Sequence, residues 1–100
     1  MSRNEWPTPS EMVVMRILQS NPLGAYGLEI VMESKGAVKR GSVYVLFGRL
    51  EEKGFVRVLT SKKERDTLGP TRPQYRLTAE GTRVLNTASE VGIRILGARA

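Results

Sequence analysis

The spacing of apolar residues changes at Gly54, and no other feature limits the fold of this chain as strongly. Before Gly54, apolar side chains recur every three or four residues. After it come two short runs rich in β-branched and aromatic residues, FVRVLT at 55–60 and QYRLT at 74–78. Past Thr78 the helical period returns. A chain of 100 residues supports one compact domain, so the order to be folded is helix, helix, helix, hairpin, helix.

Each helix carries its own start or stop signal. In TPSEMVVMRILQS, Thr8 is placed to cap, Pro9 suits the first helical position and Glu11 can complete a capping box, which predicts a helix over Pro9–Gln19. Met12, Val14, Met15, Ile17 and Leu18 give it a broad apolar face. NPLGAYG then interrupts, and LEIVMESKG resumes a short helical pattern stopped by Gly36. In KRGSVYVLFGRLEEKG, Ser42 is a candidate cap, Gly54 a natural stop, and Val43, Leu46, Phe47 and Leu50 share one face. Gly48 departs from helix-forming composition, and close packing against a neighbouring helix is its expected reason, with close approach to a phosphate backbone as the alternative.

The two strand-like runs are separated by SKKERDTLGPTRP, a polar loop long for so small a domain, which marks it as functional or mobile rather than structural. Thr78 caps the last helix, where Val84, Leu85, Ala88, Val91, Ile95 and Leu96 form a stripe of more than three turns. So long a stripe suits a partner helix, the alternative being packing back onto the first helix. The chain thus divides into an N-terminal tail at 1–8, a winged helix-turn-helix unit at 9–77 and a C-terminal dimerisation helix at 78–100. The fold class is mainly α with a β-hairpin.

Charge narrows the function. The formal net charge is +6, distributed as −2 over residues 1–34, +7 over 35–76 and +1 over 77–100. A positive field concentrated on the third helix and the hairpin suits a polyanion such as nucleic acid or an anionic membrane, the alternative being a basic surface with no particular partner. The chain has no cysteine and no histidine, which removes disulfides, thiolate chemistry and the commonest general base. Glu51 and Glu52 are adjacent and point to different sides, a poor acid–base pair, so no enzymatic activity, cofactor or metal is expected. With no long apolar run and no signal-peptide pattern, a cytoplasmic protein that does not enter the membrane is expected.

The segments AYGLEI, GSVYVLFGRLEEKGFV and RPQYRLTAEG, in this order and spacing, resemble the PadR family of transcriptional regulators over Glu11 to Gly81. The resemblance implies a dimeric repressor on a palindromic operator, with the third helix in the major groove, the wing beside the backbone or minor groove, the C-terminal helix at the dimer interface, and a small aromatic or hydrophobic effector. From the residues themselves, Lys39, Arg40, Ser42 and Tyr44 stand where a helix entering a groove meets bases and phosphates. Tyr44 can instead be a half-buried core aromatic and Arg40 a solvated turn cation. Arg49 can read a base or pair with Glu51 or Glu52, and Lys62, Lys63, Arg65 and Arg72 can neutralise phosphates or remain solvated. Arg57 and Arg76 fall in the strands, where their stems can cover the core. Trp6 can line an effector pocket or anchor the tail. A winged helix that binds protein rather than DNA is the alternative function.

Overall fold

The computed structural model describes residues 6–59 and 73–88. In chain order these form α1 (Pro9–Gln19), β1 (Ala25–Tyr26), α2 (Gly27–Glu33), α3 (Arg40–Lys53), β2 (Val56–Leu59), β3 (Gln74–Leu77) and a helix over residues 79–88, here α4. Four helices and a small antiparallel sheet give a winged helix fold, mainly α.

The start of α1 follows its capping box. The Glu11 amide donates to Thr8 Oγ1 at 3.2 Å, and the Thr8 amide donates to Glu11 Oε1 at 3.0 Å. Helix α2 is held at its start by the Tyr26 amide donating to Glu29 Oε1 at 2.7 Å. It ends at Glu33, ahead of Gly36, whose φ of +97° lies in the turn beyond. Helix α3 departs from expectation at its start: its cap position is Lys39, and Ser42 is already the third helical residue. Extended backbone at Lys39 turns the chain, and the Lys39 carbonyl accepts from both the Ser42 amide (2.9 Å) and the Val43 amide (3.1 Å), so the first turn closes without a side-chain cap. The Ser42 side chain is thereby left exposed and uncommitted to the cap. At the other end Gly54 takes φ +83°, with Gly54 N–H to Glu51 O at 3.0 Å and Phe55 N–H to Leu50 O at 2.9 Å, the paired bonds of a Schellman stop.

The hairpin forms as expected, Val56↔Leu77, Arg57↔Arg76, Val58↔Tyr75 and Leu59↔Gln74 facing one another. A third strand joins it: β1 pairs antiparallel with β3 through Ala25↔Tyr75 and Tyr26↔Gln74, giving the order β1-β3-β2. The core between helices and sheet holds Met15, Leu18, Ile30, Phe47 and Leu50, all fully buried, with Tyr75 stacked on Phe47 at a centroid distance of 3.6 Å and 10° between planes. Burial first, then the charge of Glu51 and the neighbouring Tyr44, hold the Tyr75 phenol above its ordinary pKa of 10.0.

Helix α4 corrects part of the dimer reading. Leu85 is fully buried in this chain's own core, Val84 packs against that core, and Gln19 Nε2 donates to Asn86 Oδ1 at 3.1 Å to tie α4 to α1. Leu85 therefore has no surface to offer a partner: this part of the stripe serves the domain. Val91, Ile95 and Leu96 lie outside the described residues.

Arg57 and Arg76 are directly opposed and both exposed, and among the described residues neither pairs with a carboxylate. Like charges facing across a ladder destabilise it. Arg57→Glu converts the pair to opposite signs and is expected to raise stability by about 0.2–1 kcal/mol. Urea denaturation checks this, and an unchanged or lower midpoint contradicts it.

Candidate nucleic-acid interface

Helix α3 turns Val43, Leu46, Phe47 and Leu50 into the core. The helical period then puts Gly41, Val45, Gly48 and Glu52 along the line farthest from the core, with Ser42 and Arg49 on one flank and Arg40 and Tyr44 on the other. All eight of these are exposed. The surface is a helix with a charged, hydroxyl-bearing rim and a low centre line.

Tyr44 is 53% exposed, half open to solvent and half packed on the domain. Its ring lies 6.0 Å from Phe47 at 58°, and its hydroxyl crosses the start of α2. A Cβ on Gly27 would stand 2.7 Å from that hydroxyl oxygen and 2.8 Å from the adjoining ring carbon, which is why the residue after Tyr26 has no side chain. The ring is thus seated against the domain. Beside it an apolar cavity of about 280 Å³ opens between α2, α3 and β3, with Tyr26, Leu28, Val31, Arg40 and Pro73 among its walls.

The ion pairs among the described residues are Lys53–Glu11 and Arg83–Glu80. Lys39, Arg40 and Arg49 are thus all exposed without a carboxylate partner, and the pairing of Arg49 with Glu51 or Glu52 does not form. Gly48 is also corrected: nothing lies within 4 Å of where its Cβ would be, so no neighbouring helix requires a glycine there. Lys62, Lys63, Arg65 and Arg72 lie outside the described residues. Trp6 is 52% exposed, and its carbonyl accepts from Lys53 Nζ at 3.5 Å.

Sequence reasoning missed the support beneath this surface. Lys53, the last residue of α3, donates to the fully buried Glu11 of α1 at 2.7 Å, so one ion pair locks the orientation of α3 against α1. Glu11 reads in sequence as a capping residue alone, and nothing local shows that its carboxylate faces inward. Among the described residues, no group of acidic side chains could hold a metal, and no helix is long and apolar enough to cross a membrane.

The model of the family described as transcriptional regulator PadR-like matches residues 14–87. The chain belongs to this PadR-like family of transcriptional regulators. Among solved structures, it resembles a PadR-like transcription factor from Bacteroides fragilis, with 25% identity, TM-score 0.74, and 88% of this chain and 84% of that one covered. A PadR family transcription regulator from Clostridium difficile matches at 23% identity and TM-score 0.72, covering 91% and 93%. The fold also extends to a mutant MepR from S. aureus bound to an oligodeoxyribonucleotide, at 14% identity and TM-score 0.73, where 91% of this chain covers 62% of that one. No curated protein sequence matches it closely. Membership in a family of transcriptional regulators accords with the exposed, cationic rim of α3 and offers no support for catalysis.

Proposed function

We propose that this PadR-like regulator binds duplex DNA sequence-specifically as a homodimer and acts as a repressor on a palindromic operator. Helix α3 enters the major groove, and the wing, with Lys62, Lys63, Arg65 and Arg72, lies against the backbone or minor groove. The observation that carries this reading is the group of exposed cations around α3, Lys39, Arg40 and Arg49, that no carboxylate among the described residues neutralises. An anionic partner supplies what the fold leaves out. Ser42 stands free at the first turn for a phosphate or base edge, and Tyr44, half open to solvent, offers its hydroxyl as a phosphate donor.

The residues beyond 88, together with Val84 and Ala88, supply the dimer contact, which sets two copies of α3 about 34–36 Å apart, one turn of duplex. Affinity for an operator then falls steeply with salt, by roughly 0.9 in log K per phosphate contact for each tenfold rise. A salt-independent affinity contradicts the reading. Tyr44→Phe removes one hydrogen bond per protomer and is expected to weaken operator binding about fivefold for each protomer. Unchanged affinity removes Tyr44 from the contact surface.

An effector pocket lined by Trp6 completes the reading as a regulated repressor, supported by the half-exposed ring at the start of α1. Planar aromatic compounds that release the operator are expected to quench Trp6 fluorescence; release without quenching excludes Trp6 from the pocket.

A further inference from the structure

The centre line of α3 is unexplained by the fold. Gly41 and Gly48 sit in a helix where each costs stability relative to alanine, yet nothing lies within 4 Å of the Cβ either would carry. Between them stands Val45, an apolar β-branched residue 54% exposed to solvent. Gly41 and Gly48 are four residues before it and three after it, so all three lie on one stripe of the helix surface. No intramolecular contact requires a valine flanked by two bare positions.

We propose that Val45 reads the methyl group of a thymine in the major groove, and that Gly41 and Gly48 provide the clearance that lets the helix approach the base edges. The assignment rests on the DNA-binding function proposed above. The floor of the major groove presents donors and acceptors at every base pair and one apolar group, the C5 methyl of thymine. A single exposed valine on the centre line matches a single apolar spot on that floor. The flanking cations Lys39, Arg40 and Arg49, without carboxylate partners among the described residues, match the phosphate walls on either side. A protein-binding helix face would present several apolar side chains along this stripe. Here the neighbours of Val45 are glycines, with the acidic Glu52 one turn further. Val45 also lies in the first half of α3, the part of a recognition helix that reaches base edges.

The test takes a duplex selected on the purified protein and replaces its thymines one at a time with deoxyuridine, which deletes the methyl and keeps every hydrogen-bonding group. One thymine per half-site is expected to respond, with a loss of about fourfold for each methyl removed and about 15-fold when both half-sites lack it. Val45→Ala should bind the parent duplex more weakly and show no response at that thymine, while its thermal midpoint stays near that of the wild type. Gly48→Ala should raise the thermal midpoint and weaken binding. A deoxyuridine profile that is the same for wild type and Val45→Ala overturns the assignment and leaves duplex binding intact. Gly48→Ala binding as tightly as wild type overturns the clearance role. Failure to bind any duplex overturns the assignment together with the function beneath it.

Discussion

Lys53→Met is expected to lower folding stability by about 3–5 kcal/mol, because it strips the paired cation from a carboxylate that is fully inside the protein. Glu11 has 0% of its side chain exposed, and Lys53 15%. Glu11 Oε1 accepts from Lys53 Nζ and from the Thr8 amide, while Oε2 is buried with no hydrogen-bond partner. Without Lys53, the charge on Glu11 would be left with one backbone donor in an apolar surround. Against a typical total of about 5–15 kcal/mol for a domain, a loss of this size leaves a chain partly unfolded near body temperature. Adding Glu11→Gln to Lys53→Met should recover much of the loss, because the amide oxygen still accepts from Thr8 and no charge remains to be solvated. Urea denaturation of the single and double variants reads this directly. A Lys53→Met midpoint within experimental error of wild type would show that the pair does not hold α1 to α3.

Gly81→Ala is the second large effect, a loss of about 3 kcal/mol. Gly81 lies in the first turn of α4, where its amide donates to Thr78 Oγ1 at 2.9 Å. The same threonine donates its hydroxyl to Gly54 O at 2.7 Å and its amide to Phe55 O at 3.0 Å. Two bonds from Thr78 thus fasten the start of α4 to the junction between α3 and β2, and a third caps the helix. A Cβ on Gly81 would run into the Phe55 carbonyl oxygen and stand 3.0 Å from its carbon. The obstacle is backbone, held by the hydrogen bond to Thr78, so it cannot swing aside as a side chain would. Alanine's better helix propensity, about 1 kcal/mol, does not offset this. Calorimetry should show a midpoint lower by at least about 10 °C, on the scale of about 4–8 °C per kcal/mol for a domain of this size. A higher midpoint would mean that α4 can shift away from the junction at no cost.

These two sites show where sequence reading succeeds and where it stops. Thr8, Gly54 and Thr78 announce their roles because a cap or a stop is decided by residues within four positions of one another. The apolar face of α3 is legible for the same reason, since its period is local. The Glu11–Lys53 pair joins residues 42 apart, and β1 is two residues long with its partner in β3, so neither leaves a local pattern. Ser42 misleads because serine is a frequent cap, while the extended backbone at Lys39 already starts the helix. Leu85 misleads because a stripe does not say whether its cover comes from the same chain, and α1 supplies part of it here.

The candidate site divides along the same line. That Tyr44, Arg40, Arg49 and Ser42 share the outer half of α3 follows from a period of 3.6. That Arg40 and Arg49 meet no carboxylate among the described residues does not, because it depends on where the carboxylates come to rest. The contact of Tyr44 with Gly27 joins residues 17 apart and leaves no local pattern. Gly48 is the sharpest case, since the sequence raises the question of its purpose and only the empty space around it excludes helix packing.

The central claim is that two copies of the α3 surface read one duplex together. Selection of random duplexes on the purified full chain, followed by sequencing of those retained, tests it most directly. The expected result is a palindromic consensus whose half-site centres lie about 10–10.5 base pairs apart. Retention of sequences with no shared motif, or of one unrepeated half-site, would contradict it.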